Sequence, residues 1–273
     1  MSQRLNPNSA RYWFPKVAAA RIPVPKTKFL RMAKGPLWKM LDGAMPIGSE
    51  ASSLQSMVTK TIEIQKLWRG PPLFVRSDLA SAKHDGPIAY QIPRNATPGT
   101  VVRVLRNTFE DNLMKDQNPD WFMIREWLDL VYCFRAFVGH PIAQEWRYFA
   151  TSEKVVCKHF YWPEDSITFL DKRAHEPADW RKQLAKLASI SPPAILSDYA
   201  VKAAKVCNTV PMWSVDFAHD IHGDWYLIDM AVAKDSSHGW DGCPIPNNEK
   251  REEKPSVDLS ELTEVMPVER RGS

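Results

Sequence analysis

The stretch WSVDFAHDIHGDWYLIDM, residues 213–230, reads as two strands folded back on each other, with an aspartate in the middle of each apolar run. Trp213, Val215 and Phe217 alternate with Ser214, Asp216 and Ala218, the period of a strand with two unlike faces, and Trp225 to Met230 reads as the return strand. Between them HDIHGD supplies Gly223, which can take the positive φ that a tight turn needs. A turn centred on His222-Gly223 sets Asp216 opposite Asp229, Val215 opposite Met230 and Phe217 opposite Ile228. One face is then apolar and the other holds two carboxylates. Like charges directly opposite each other destabilise a sheet, and a partly buried carboxylate is costly unless neutralised. A divalent cation would neutralise the pair, and hard oxygen ligands favour Mg²⁺, which binds through one or two carboxylates plus substrate phosphates. The competing reading is a solvent-facing hairpin with ordinary surface acids.

The 273 residues suffice for one large domain or two modest ones. Hydrophobic residues at 44% and charged residues at 25% are ordinary for a globular protein, and a net charge of +4 suits a phosphate-rich ligand without requiring nucleic acid. No basic stripe with interleaved aromatics appears, which disfavours a nucleic-acid binder. Cys133, Cys157, Cys207 and Cys243 form no C-x-x-C pair, so neither a zinc knuckle nor a disulfide scaffold is indicated, and reduced thiols in a cytosol fit best. No signal-like or membrane-spanning apolar run occurs, so the expectation is a soluble cytoplasmic protein with no membrane partner.

Outward from the hairpin, SARYWFPKVAAA has helical spacing behind a Ser9 cap, with Pro15 expected to kink or restart it. IPVPKTKFLRM is extended. Helices are predicted in GSEASSLQSMVTKTIEIQKLW, on an apolar face of Leu54, Met57, Val58 and Ile62, and in TPGTVVRVLRNTFEDNLMK, WRKQLAKLASI and PPAILSDYAVKAAKVC. Strands are predicted in PPLFVRSD, WFMIREWLDL, HPIAQEWRYFAT and KVVCKHFYW. The proline- and charge-rich residues 244–273 read as a tail. The order is α+β, without the regular alternation of a doubly wound sheet and without a glycine-rich nucleotide motif.

Three further segments carry chemistry. In FVRSDLASAKHDG, Arg76 stands at a strand end and Lys83 in a loop of small residues, an arrangement suited to covering phosphates; the alternative is a polar surface turn. In FMIREWLDL, an apolar strand followed by Trp127 and Leu128 could offer backbone groups and flat contacts to an adenine ring, with Arg125 and Glu126 facing outward, or could be plain sheet. In AQEWRYFAT, parity puts Glu145, Arg147 and Phe149 on one face and Trp146 and Tyr148 on the other. An acid and an arginine so placed can hold a ribose and a phosphate or carboxylate, or can equally pair with each other or with neighbours. Lys158 and Tyr161 could extend this polar region. HDIH, with His219 and His222, lacks a third metal ligand at suitable spacing and reads as a turn with two exposed histidines. His84 and His238 fall in loops expected near the phosphates.

Taken in order, IPVPKT, FVRSDLASAKH, MIREWL, QEWRYF and VDFAHDIHGDWYLID resemble the ATP-grasp fold, and within it the clade labelled by one arginine and two lysines, many of whose members come from bacteria and their viruses. The resemblance covers about residues 9–240 and implies two α+β subdomains, expected at 1–110 and 111–243, holding ATP between antiparallel sheets with Mg²⁺ on acids of the last strands. It implies that Arg76 stands where many relatives have a phosphate-binding lysine, that Lys83 lies in the phosphate loop, and that Ile124 to Leu128 contacts adenine. By the same resemblance Glu145 binds ribose, and Asp216 and Asp229 hold the metal. The usual asparagine two residues after the second acid is Ala231, so the metal would have lighter ligation or be completed by Asp235 or Ser236.

The expected activity is an ATP-dependent ligase that converts a carboxylate to an acyl phosphate for attack by an amine or similar nucleophile. Arg147, Lys158 and Lys83 are its expected catalytic residues, and its partners are small-molecule or peptide substrates. The alternatives are an ATP-dependent small-molecule kinase and an inactive ATP-binding protein of the same fold.

Overall fold

The computed structural model describes residues 6–80, 87–137, 139–168 and 176–236 and is α+β. Helix α1 (Ala10–Ala19) starts at Ser9, whose hydroxyl accepts the Arg11 N–H, and continues as one helix through Pro15. Then come β1 (Thr27–Arg31), α2 (Lys34–Leu41), α3 (Gly48–Leu67), β2 (Leu73–Ser77), α4 (Pro87–Tyr90), β3 (Gln91–Ile92), α5 (Pro98–Met114) and β4 (Trp121–Glu126). The strands β1-β4-β2-β3 form an antiparallel four-stranded sheet in that order. A hairpin of β5 (Tyr132–Ala136) and β6 (His140–Ala143) follows, then β7 (Glu145–Ala150), β8 (Val155–Phe160), α6 (Glu164–Thr168), α7 (Trp180–Ala188), α8 (Ile195–Val206), β9 (Trp213–His219) and β10 (Trp225–Val232). The second antiparallel sheet has the order β10-β9-β7-β8.

Each sheet buries one face under helices. Leu30, Leu73, Val75, Phe122 and Ile124 of the first sheet pack with Met57 and Val58 of α3 and with Val101, Val104, Leu105 and Phe109 of α5. Tyr148, Val215, Phe217 and Met230 of the second pack with Trp13 and Val17 of α1 and Leu196, Ala200 and Ala203 of α8. Full burial of a large apolar side chain is worth about 1.5–3 kcal/mol, so these faces fix which way every strand points. Because side chains alternate, Phe74, Arg76, Met123 and Arg125 are left on the opposite face of the first sheet, and Glu145, Arg147, Asp216 and Asp229 on that of the second. These two faces meet.

The structure departs from three expectations. HPIAQEWRYFAT divides at Gln144 into β6 and β7, which belong to different sheets. Residues 110 and 111 do not separate the layers: α5 spans that point, and β4 lies between β1 and β2, so the first sheet runs on to Glu126. Helix α1 meanwhile packs on the second sheet. A central strand supplied late in the chain and a helix that crosses over are long-range choices, invisible to a linear segmentation. The expected tail lies outside the described residues, among which no helix is long and apolar enough to cross a membrane.

Candidate functional site

The opening hairpin sets Asp216 directly opposite Asp229 and Val215 opposite Met230. Nearer the turn the register slips by one: Phe217 faces Leu227, and Ile228 is the extra residue of a bulge. The turn explains the slip. Asp220 accepts the N–H groups of His222 and Asp224 on its carboxylate while Gly223, at φ 92°, donates to the Asp220 carbonyl, so the reversal is wider than a two-residue turn. His219 meets Gln144 at 2.8 Å and stacks on Trp225, while His222 is exposed.

Across the second sheet, His159, Arg147, Asp216 and Asp229 form one row of facing residues. Arg147 grips Asp216 as a bidentate fork, Nε to Oδ1 and Nη2 to Oδ2, both at 2.8 Å. Burial alone would pull the Arg147 guanidinium down, but the charge of Asp216 and its two hydrogen bonds outweigh burial and raise it above its ordinary value. Asp229 is met from the first sheet: Arg76 Nη1 lies 2.9 Å from its Oδ2, and its Oδ1 accepts the Met230 N–H. Each aspartate thus meets an arginine, whose positive charge offsets the repulsion between the two facing carboxylates.

Arg125 also crosses from the first sheet. Its Nη1 donates to the carbonyl of the bulged Ile228 at 2.5 Å, while its Nε and Nη2 are buried with no hydrogen-bond partner among the described residues. Burial, then the like charge of Arg76, pushes this guanidinium down to about 9, against the opposing pull of Asp229. It is a buried charge short of anionic partners. The outward direction expected for Arg125 is corrected here: adjacent strand residues point to opposite sides, so Arg125 turns into the cleft, while Glu126, also on the cavity lining, pairs with Lys26, Oε2 to Nζ 3.0 Å.

These groups line a cavity of about 390 Å³ between the sheets. Its walls include Phe74, Tyr90, Trp127, Leu128 and Ile228, with Arg76, Arg125, Glu145 and Asp229 at its polar parts. Trp127 and Tyr90 lie nearly parallel, ring centroids 6.3 Å apart, and the Tyr90 hydroxyl meets His140 Nδ1 at 2.7 Å. Burial raises the Tyr90 phenol well above its usual value, so it stays neutral. Glu145 is buried at 1% exposure.

Of the expected site residues, the structure therefore brings Arg76, Arg125, Glu126, Trp127, Leu128, Glu145 and Asp229 to one cavity. Asp216 and Arg147 stand beside it, closed on each other. Lys158 is not brought in: it faces Tyr148, on the helix-covered side of the second sheet, where it is exposed. Lys83, His84 and His238 lie outside the described residues. Asp235 accepts a hydrogen bond from Asn8 at 2.8 Å. Reading the sequence missed Tyr90, His140, Tyr132 and Arg135, which line the same cavity. Tyr90 sits between a one-turn helix and a two-residue strand, too short for any periodicity to mark.

The donor set suits a nucleotide better than a bare cation. Two orphaned guanidinium nitrogens in a buried setting want an anion, and the aromatic walls suit a base. Among the described residues no three His, Cys, Asp or Glu side chains gather as a ready metal site. Mg²⁺ needs only one or two carboxylates when phosphates and water complete its shell, and Asp229 fits that role.

Compared by sequence, the chain matches no protein-family model and no curated protein. Among solved structures, it is similar to the ATP-grasp ligase PsnB complexed with minimal precursor (9% identity, 88% of this chain and 56% of that chain, TM-score 0.43). It is likewise similar to D-alanyl-alanine synthetase A from Vibrio cholerae (11%, 82% and 56%, TM-score 0.42) and to C-terminally truncated Cdc123 from Schizosaccharomyces pombe (13%, 85% and 87%, TM-score 0.48). The chain spans little more than half the length of the first two.

Proposed function

We propose that the cleft binds ATP with Mg²⁺ in the manner of the ATP-grasp fold, and that the protein is an ATP-dependent ligase. It would activate a small-molecule or peptide carboxylate as an acyl phosphate that an amine or similar nucleophile attacks, releasing ADP and phosphate. The observation that carries this reading is the meeting, in one cavity, of flat apolar walls with a buried guanidinium that lacks anionic partners.

The residues divide the work by chemistry. Phe74, Tyr90, Trp127 and Leu128 exclude water and present flat surface to the base. Glu145, buried on the cavity wall, accepts from ribose hydroxyls. Arg125 and Arg76 receive the phosphates, where preorganised positive charge offsets the charge that moves in transfer. Asp229, with Asp216 behind it, would hold Mg²⁺, which neutralises phosphate oxygens when bound. Lys83 is assigned to the phosphates from its place in the sequence alone.

A second reading, an ATP-binding protein without turnover, is favoured by the closed Arg147–Asp216 fork together with Ala231. Two measurements test both: thermal stabilisation by Mg-ATP, and ADP release in the presence of pooled carboxylates and amines. No stabilisation refutes the nucleotide site. Stabilisation with no ADP from any pool leaves the second reading standing and the ligase not.

A further inference from the structure

We propose that Arg76 is a resident stand-in for the metal: without nucleotide its guanidinium holds Asp229 and excludes free divalent cations, and it gives the carboxylate up only when a polyphosphate draws it away. The site would then take a cation only together with its nucleotide. This rests on the nucleotide reading above and goes beyond it, since it assigns an order and a coupling that the cavity alone does not.

The geometry is specific. Arg76 is 4% exposed, whereas the Asp229 side chain is 35% exposed and lines the cavity with Arg76 Nη1 at its Oδ2. Asp216 is a weaker ligand for a cation, because each of its oxygens already accepts from Arg147. Around the cleft Arg76, Arg125, Arg135 and Arg147 stand against Glu126, Asp129, Glu145, Asp216 and Asp229, so the formal charges nearly balance and no strong field gathers free cations. A hydrated cation arriving alone would have to strand a buried guanidinium, which a low-dielectric site opposes. A polyphosphate removes that obstacle. It offers acceptors to Arg76 and to the two unpartnered nitrogens of Arg125, which is fixed to the same bulge through Ile228. Arg76 and Asp229 belong to different sheets, so the exchange also breaks a contact that spans the cleft.

Mn²⁺, as a paramagnetic probe, tests this by titration of the full chain without nucleotide. Wild type should bind it weakly, and Arg76→Gln at least about tenfold more tightly, with the gain lost in Arg76→Gln with Asp229→Asn, a neutral pair. In wild type, ATP added with chelator should bind first and then raise Mn²⁺ affinity by the factor by which Mn²⁺ raises that of ATP. Equal Mn²⁺ affinity in wild type and Arg76→Gln overturns the proposal, as does a gain that survives in the double variant. If Arg76→Gln does not fold, Asp229→Asn decides: ATP should raise its Mn²⁺ affinity by less than it raises that of wild type, and an equal rise overturns the proposal while leaving the nucleotide site intact. A gain of Mn²⁺ in Arg76→Gln with no ATP binding to wild type sinks the nucleotide reading instead, and with it the exchange.

Discussion

Replacing Arg125 with methionine separates the two things a buried cation can do. The guanidinium donates to the Ile228 carbonyl and has no partner for Nε and Nη2 among the described residues, with burial and Arg76 both working against its charge. Methionine has similar length and no charge. It removes a charge-assisted hydrogen bond worth about 1.5–3 kcal/mol and also a desolvation penalty of at least similar size. The apo melting temperature should therefore stay level or rise. The bound state is different, because there the two nitrogens meet phosphate, and charge-assisted hydrogen bonds are worth about 1.5–3 kcal/mol. At a concentration where wild type gains about 2.7 kcal/mol from Mg-ATP, a 10- to 100-fold loss of affinity leaves roughly 0.4–1.4 kcal/mol. At about 2–4 °C per kcal/mol, the thermal shift falls from roughly 5–11 °C to roughly 1–6 °C. Differential scanning calorimetry with and without Mg-ATP measures both numbers. An apo protein destabilised by more than about 2 kcal/mol with an undiminished ligand shift would show that Arg125 is a structural latch and not an anion receptor.

Four further outcomes are expected. Arg147→Met should cost about 3–5 kcal/mol in urea melts, because it strands the buried Asp216, and Arg147→Met with Asp216→Leu should recover most of this. Trp127→Ala should weaken ATP by about 1–3 kcal/mol in calorimetric titration while leaving inorganic triphosphate unaffected, since only the base loses its stacking surface. Lys158→Ala should change neither ATP affinity nor ADP release, because its side chain is on the far face of the sheet; a tenfold loss would place a substrate there. Burial pushes the Cys207 thiol up to about 11, so at pH 8 only about one molecule in a thousand is thiolate, and a thiol reagent should reach it only on unfolding.

The sequence by itself determined what period and turn chemistry encode. Alternation of apolar and polar residues placed Asp216 and Asp229 face to face, put Glu145 with Arg147, and put Arg76 two places from Phe74 on one strand face, because a strand's side chains alternate whatever it packs against. Helices α1, α3, α5, α7 and α8 and most strands were legible from their periods, whereas α2, α4 and α6 are too short to show one. Tertiary structure decided which arginine meets which carboxylate. It decided that β4 lies inside the first sheet, so that Arg125 turns into the cleft, and that Lys158 falls beyond it. A slip at Ile228 left a carbonyl for Arg125, and it came from the Asp220 turn and the strands' packing together. These are pairings between residues as far apart in the chain as Arg76 and Asp229, and nothing local encodes them: they exist only when two helix-covered sheets bring their uncovered faces together.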